Sequence, residues 1–150
     1  MKTKKELFAV IRIRGRRKLN KKIDHTLKML NIFKPNYCSV FFMSPSYLGM
    51  LKKAKDYITW GKISKDLFFK MLYKRGEIGK KNLSKLKTIE EIKKIAYEIF
   101  EGEKSLKDFG IKSTFRLRPP SKGYKNKKKT YPKGELGGRD SIDSLLKRML

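Results

Sequence analysis

The sequence predicts an α+β fold: a two-layer plait in the order β-α-β-α-β, with an inserted helical lobe and an added strand near the C-terminus. Three observations carry this. Short runs rich in β-branched and aromatic residues, LFAVIRIR at 7–14, YCSVFFM at 37–43 and DYITW at 56–60, alternate with segments of helical period. Serine, threonine or asparagine stands where each main helical segment begins. The length, 150 residues, suits one domain. The core plait is expected over about 6–61, a helical insertion over about 62–112, and a returning strand, basic loop and terminal helix over about 113–150. Helices are expected on one sheet face, with the other open.

Each element follows from its residues. In the first strand Ala9, Ile11 and Ile13 share one face and Arg12 and Arg14 the other, because side chains alternate. Gly15 ends it. Asn20 caps a helix over about 21–31, with Ile23, Leu27 and Leu30 on one stripe. Pro35-Asn36 turns the chain into the second strand. Ser44 caps the next helix and Pro45 takes its first position, with Tyr47, Leu51 and Ala54 inward. The third strand stops at Gly61. Ser64 caps a helix over about 65–75 that turns Leu67, Met71 and Leu72 inward and stops at Gly76. Thr88 and Glu91 have capping-box spacing ahead of Ile92, Ile95 and Ile99. Residues 114–118, TFRLR, form the last strand, which Pro119-Pro120 ends. Residues 121–139 are Gly-, Lys- and Pro-rich and are expected to be irregular. Ser141 caps a short terminal helix.

Charge narrows the function. Lys+Arg total 40 and Asp+Glu 14, a formal charge of +26 at pH 7. Such an excess repels itself in a compact chain and is relieved by a polyanion, of which nucleic acid is the most abundant. The charge is uneven: residues 12–22 hold seven basic residues and no acid, residues 115–139 nine and one acid, and residues 88–108 six acids against four lysines. The ends of the fold are thus expected to face a polyanion and the middle to face solvent. No apolar run approaches the ~18–20 residues that span a bilayer, and the apolar stripes read as core faces, so no membrane partner is expected. The N-terminus lacks a small-residue cleavage site, so no signal peptide is expected. A single cysteine, Cys38, excludes an internal disulfide and a thiolate zinc site and points to the cytosol.

Catalytic constellations are absent from the sequence. His25, the one histidine, has no nucleophile or orienting partner near it and reads as a surface residue. Cys38 sits mid-strand as a small apolar residue, and Trp60 with Tyr57 reads as core before base-stacking platform. Glu90 and Glu91 are adjacent and point apart on a helix. There is no P-loop, dinucleotide fingerprint or metal-hydrolase motif. Neither an enzyme, a cofactor, a metal nor a small-molecule substrate is expected.

Two strands instead suggest phosphate binding. Arg12 and Arg14 alternate with Ile11 and Ile13, and Arg116 and Arg118 with Phe115 and Leu117, so each strand offers two guanidiniums on one face. Guanidinium pairs bidentately with phosphate; a solvated edge strand guarded by arginines would look the same. The loop Gly15-Arg16-Arg17-Lys18 lets backbone approach a phosphate, or is an ordinary turn. In the last basic segment Lys122, Lys125, Lys127, Lys128, Lys129, Lys133 and Arg139 would contact phosphates while Tyr124 and Tyr131 stack on bases, ordering on binding. A flexible linker is the alternative there. Lys21 and Lys22 join the candidates by charge.

The order of these residues also resembles a known family. The stretch from Thr26 to Ile58, with Leu27, Leu30, Ile32, SPSYLGML at 44–51, Ala54 and DYITWGKI at 56–63, is similar to the signature of the large-subunit ribosomal protein family L-thirty, called L-seven in eukaryotes. FRLRPPSKGY at 115–124 resembles the distal segment of archaeal members, and the length looks archaeal. The resemblance implies a ferredoxin-like plait bound to large-subunit rRNA, with 5S rRNA and other large-subunit proteins nearby. It implies RNA contact at Arg12, Arg14, Gly15, Arg16, Arg17, Lys18, Arg118 and the loop Pro119, Pro120, Ser121, Lys122, Gly123, Tyr124. The expected function is a structural constituent of the large ribosomal subunit that binds and stabilises its rRNA in the cytoplasm. A DNA-binding architectural protein is the alternative, though it would want a recognition helix or minor-groove wedge that the sequence does not clearly show.

Overall fold

The computed structural model describes residues 7–15, 19–42, 44–102, 104, 106–121, 123–124, 129, 131, 133–134 and 136–150. The described elements are β1 (Leu7–Arg12), α1 (Lys21–Met29), β2 (Tyr37–Phe42), α2 (Pro45–Lys53), β3 (Ile58–Lys62) and α3 (Lys65–Arg75). After these come β4 (Glu77–Ile78), β5 (Lys81–Asn82), α4 (Leu83–Leu86), α5 (Ile89–Phe100), a 3₁₀ turn at Leu106–Phe109, β6 (Thr114–Arg116), β7 (Gly137–Ser141) and α6 (Asp143–Met149). The α+β plait is therefore present, with the helical lobe and the added strand.

The helices start where capping chemistry put them. Asn20 Oδ1 accepts from Lys22 N–H at 3.0 Å, Ser44 Oγ from Tyr47 N–H at 3.2 Å, and Ser64 Oγ and Thr88 Oγ1 from Leu67 and Glu91 N–H at 3.4 Å each. Each bond satisfies a donor that the first helical turn leaves without a partner. Helix α1 stops at Met29, earlier than expected, because Asn31 turns left-handed at φ 62°.

Five strands form one sheet in the order β6-β2-β1-β3-β7. β1 pairs antiparallel with both β2 and β3, with Ala9 opposite Val40 on one side and Gly61 on the other. β6 extends the sheet antiparallel to β2, and β7 runs parallel to β3. β4 and β5 form a separate two-residue hairpin inside the lobe.

Both faces of this sheet are covered, which corrects the expectation of an open face. Leu7, Ala9 and Ile11 pack under Phe68, Met71 and Leu72 of α3, Ile92, Ile95 and Ile99 of α5, and Leu145 and Leu146 of α6. On the opposite face Val10, Phe41 and Ile58 pack with Leu27 of α1, Leu51 of α2 and the C-caps of those helices, Leu30 and Ala54. The physical reason lies in β1, where Leu7 and Ala9 through Arg12 are all buried, so the strand has no solvent face. The lobe thus lies against the sheet and covers it. Burying one such large apolar side chain contributes roughly 1.5–3 kcal/mol.

The last strand differs most from expectation. Residues 121–139 are not irregular throughout, since 137–141 form β7. Glycine permits the close approach: a Cβ on Gly138 would lie 3.1 Å from the Trp60 ring, and one on Gly61 would lie 2.8 Å from the Arg139 carbonyl oxygen. For the same reason β3 runs through Gly61 to Lys62 and does not stop there. Ser141 belongs to β7 and Ile142, not Ser141, is the N-cap of α6, although the Ser141 hydroxyl accepts from Asp143 N–H at 3.3 Å.

Candidate nucleic-acid interface

Strand direction gathers the basic segments. The end of β1 lies beside the start of β3, where Arg12 pairs with Ile58. The start of β2 lies beside the end of β6, where Tyr37 pairs with Arg116. Gly137, which begins β7, pairs with Thr59 near the start of β3. One end of the sheet therefore carries Arg14 and Gly15, the start of the path to Lys21 and Lys22, the Arg116–Tyr124 segment, and the chain leading into β7.

The described side chains at this end fall into two groups. Arg116, Arg118, Lys21, Lys22, Lys129 and Lys133 are exposed. Arg14 is half-buried: its Nη1 donates to the Asp56 carbonyl at 3.4 Å, and its guanidinium lies 5.2 Å from the Tyr57 ring centroid. Arg139 is also half-buried, donating through Nε to Thr59 Oγ1 at 3.0 Å with its guanidinium 4.7 Å from the Tyr131 ring centroid. Tyr131 keeps half its surface open. Arg16, Arg17, Lys18, Lys122, Lys125, Lys127 and Lys128 lie outside the described residues.

Arg12 corrects the sequence-based expectation. It is fully buried, with Nη1 donating to the carbonyls of Ile32 at 3.1 Å and Phe33 at 3.0 Å and Nε donating to the Arg14 carbonyl at 3.0 Å. Strand alternation put it opposite Ile11 correctly, but that opposite face is itself a core. Its charge is spent on backbone carbonyls left by the α1–β2 connection. β6 ends at Arg116, short of the expected 118, yet the alternation continues past it, with Phe115 and Leu117 buried and Arg116 and Arg118 exposed.

The segment after β6 is held by helix α6. Arg118 N–H donates to the Met149 carbonyl at 3.3 Å, and Ser121 N–H donates to the Arg148 carbonyl at 3.0 Å. Arg148 Nη1 returns a bond to the Gly123 carbonyl at 3.1 Å, with Gly123 at φ 74°. Pro119 is exposed and Pro120 buried. Tyr124 packs against the first core and donates its hydroxyl to Asn36 Oδ1. It therefore braces the loop against the start of β2, and Tyr131 is the more open of the two rings.

Sequence reasoning missed Arg75 at the C-terminal end of α3. Its Nε is buried with no hydrogen-bond partner among the described residues. Burial, and secondarily the positive charge of Arg118, lowers its guanidinium below the ordinary arginine value. Two guanidiniums from α3 and the post-β6 segment thus share one neighbourhood and repel in the free protein. The sequence holds no signal for this, because Arg75 and Arg118 are 43 residues apart.

Comparison with known proteins follows the same outline. The family pattern described as "Ribosomal protein L30p/L7e" matches residues 8–58, from β1 to the start of β3. The large ribosomal subunit protein uL30 of Methanosphaera stadtmanae is 44% identical over 152 residues, covering 96% of this chain and 100% of the relative. This chain belongs to the ribosomal protein L30p/L7e family. The uL30 proteins of Nanoarchaeum equitans and Archaeoglobus fulgidus are each 42% identical, over 96% and 95% of this chain and 99% of each relative. The L30p/L7e likeness thus extends beyond the plait through the lobe, β6, β7 and α6. Among its described residues no helix is long and apolar enough to cross a membrane, and no group of three or more His, Cys, Asp or Glu could hold a metal ion.

Proposed function

We propose that this chain is a structural, non-catalytic constituent of the large ribosomal subunit that binds and stabilises large-subunit rRNA through the basic end of its sheet. The observation that carries this is topological: among the described residues strand direction brings Arg14, Arg116 and Arg118 to one end of the sheet, in a chain with a formal charge of +26. Exposed guanidiniums and lysines there displace counterions from RNA phosphates, while a sheet packed on both faces holds them in fixed relation. Recognition is of folded RNA shape, with phosphate contacts setting position. The chain acts as one domain, with the plait, lobe and C-terminal strands sharing a core. On this reading 5S rRNA and other large-subunit proteins lie nearby, and the chain resides with cytoplasmic ribosomes. The relatives' name, large ribosomal subunit protein uL30, supports the assignment. Competition between folded large-subunit rRNA and duplex DNA at equal phosphate concentration tests it. Retention of the labelled rRNA complex is expected. Displacement by DNA at parity would favour an architectural DNA protein.

A further inference from the structure

We infer that a groove at the β6 edge of the sheet captures one unpaired nucleotide of the bound RNA, its base against Phe33 and Tyr37 and its phosphate on Arg116. The inference rests on the rRNA-binding proposal and adds a site to it. The groove has a volume of about 360 Å³ and is lined by Asn31, Phe33, Tyr37, Lys112, Thr114 and Arg116, among others. That size falls in the roughly 300–1,000 Å³ range of pockets that enclose a small ligand.

Its walls are fixed. Arg12 Nη1 holds the Ile32 and Phe33 carbonyls from inside the molecule. Thr114 Oγ1 donates to the Asn31 carbonyl at 2.6 Å, tying the chain after α1 to β6. Asn31 turns left-handed at φ 62°, a conformation that asparagine tolerates better than most residues. Between these ties Phe33 remains 39% exposed on a backbone that Arg12 holds. A backbone already held in place loses less entropy when a base stacks on its ring.

The lining chemistry selects the occupant. Two rings offer π-faces, on which any base can stack. Arg116 stands exposed opposite Tyr37 in the strand register and presents a fork that suits phosphate. Lys112 Nζ lies 3.6 Å from Glu77 Oε2, so that lysine is partly matched and Arg116 is the stronger phosphate donor. An added peptide strand fits poorly, because β6 offers an edge of three residues only. A base inside a duplex cannot reach a concave site, whereas loops and bulges of folded RNA present splayed bases.

Ultraviolet cross-linking of the full chain on protein-free large-subunit rRNA, followed by nuclease trimming and mass spectrometry, tests the site. A nucleotide adduct is expected on the peptide that holds Phe33 and Tyr37. Phe33→Ala is expected to weaken rRNA binding by roughly 5- to 100-fold without changing its salt slope, since stacking releases no counterions. Phe33→Leu, which keeps the bulk and loses the ring, is expected to do the same and serves if Phe33→Ala fails to fold. Arg116→Gln is expected to lower the slope by about one. Wild-type affinity of Phe33→Leu for protein-free rRNA, or adducts confined to other peptides, would overturn the nucleotide site and leave the rRNA assignment standing. Absence of salt-dependent rRNA binding by the wild-type chain would overturn both.

Discussion

The guanidinium of Arg12 donates to the carbonyl of Phe33 at 3.0 Å, joining residues 21 apart in the chain. One arginine thereby fixes the connection from α1 to β2 while Arg14, two residues on, faces the basic end. Arg12→Ala is expected to destabilise the protein by about 3 kcal/mol or more, because buried carbonyls lose a charged donor. Arg14→Ala is expected to cost less stability and to lower the salt slope of rRNA binding by up to about one. Urea unfolding and a salt series separate the two effects. A stable Arg12→Ala protein with a reduced slope would return Arg12 to the RNA surface.

Arg118 and Arg75 repel each other in the free protein. Arg118→Gln is expected to leave the stability of the free chain within about 0.5 kcal/mol of wild type, or to raise it slightly. It is expected to weaken rRNA binding and reduce its salt slope by about one. Unchanged binding with lost stability would mean that Arg118 serves packing instead.

Gly61 is where β7 meets β3, and an added Cβ would meet the Arg139 carbonyl oxygen at 2.8 Å. Gly61→Ala is expected to cost about 1–3 kcal/mol as an overpacked contact. Amide exchange at Ile142, whose N–H donates to the Lys62 carbonyl at 3.0 Å, should accelerate with it. Unaltered exchange at that amide would show that the strands do not need the glycine.

Cys38 is fully buried, and burial pushes its thiol far above the ordinary value of 9.0. The native thiol should resist alkylation that the unfolded chain accepts. The sign of the pH effect follows: above pH 9.0 the unfolded thiol ionises while the folded one stays protonated, so stability falls with rising pH. Below that pH the contribution is complete. The stability difference between wild type and Cys38→Ala should shrink by about 1.4 kcal/mol per pH unit above it. A constant difference across that range would contradict the burial.

Much of this fold was legible because local chemistry fixes it. Asn20, Ser44, Ser64 and Thr88 cap the helices as their side chains predict, and β1, β2 and β6 fall on the expected runs. What stayed hidden depends on distant partners. Arg12 looks like a surface arginine until α1 and α2 cover its face, and β7 looks like a loop until Gly138 slides beside Trp60. The basic segments were visible as charge, yet Arg14 and Arg116 reach one sheet end only through strand direction. Phe33 and Arg116 come to line one groove only once β6 lies beside β2.

The central claim is membership of the large subunit through rRNA. The most direct measurement is a sucrose-gradient profile of a native lysate at low and then high salt, with this chain followed by mass spectrometry. Stoichiometric sedimentation with the large subunit that survives the high-salt wash is the predicted result. Recovery as free protein or with chromosomal DNA would contradict it.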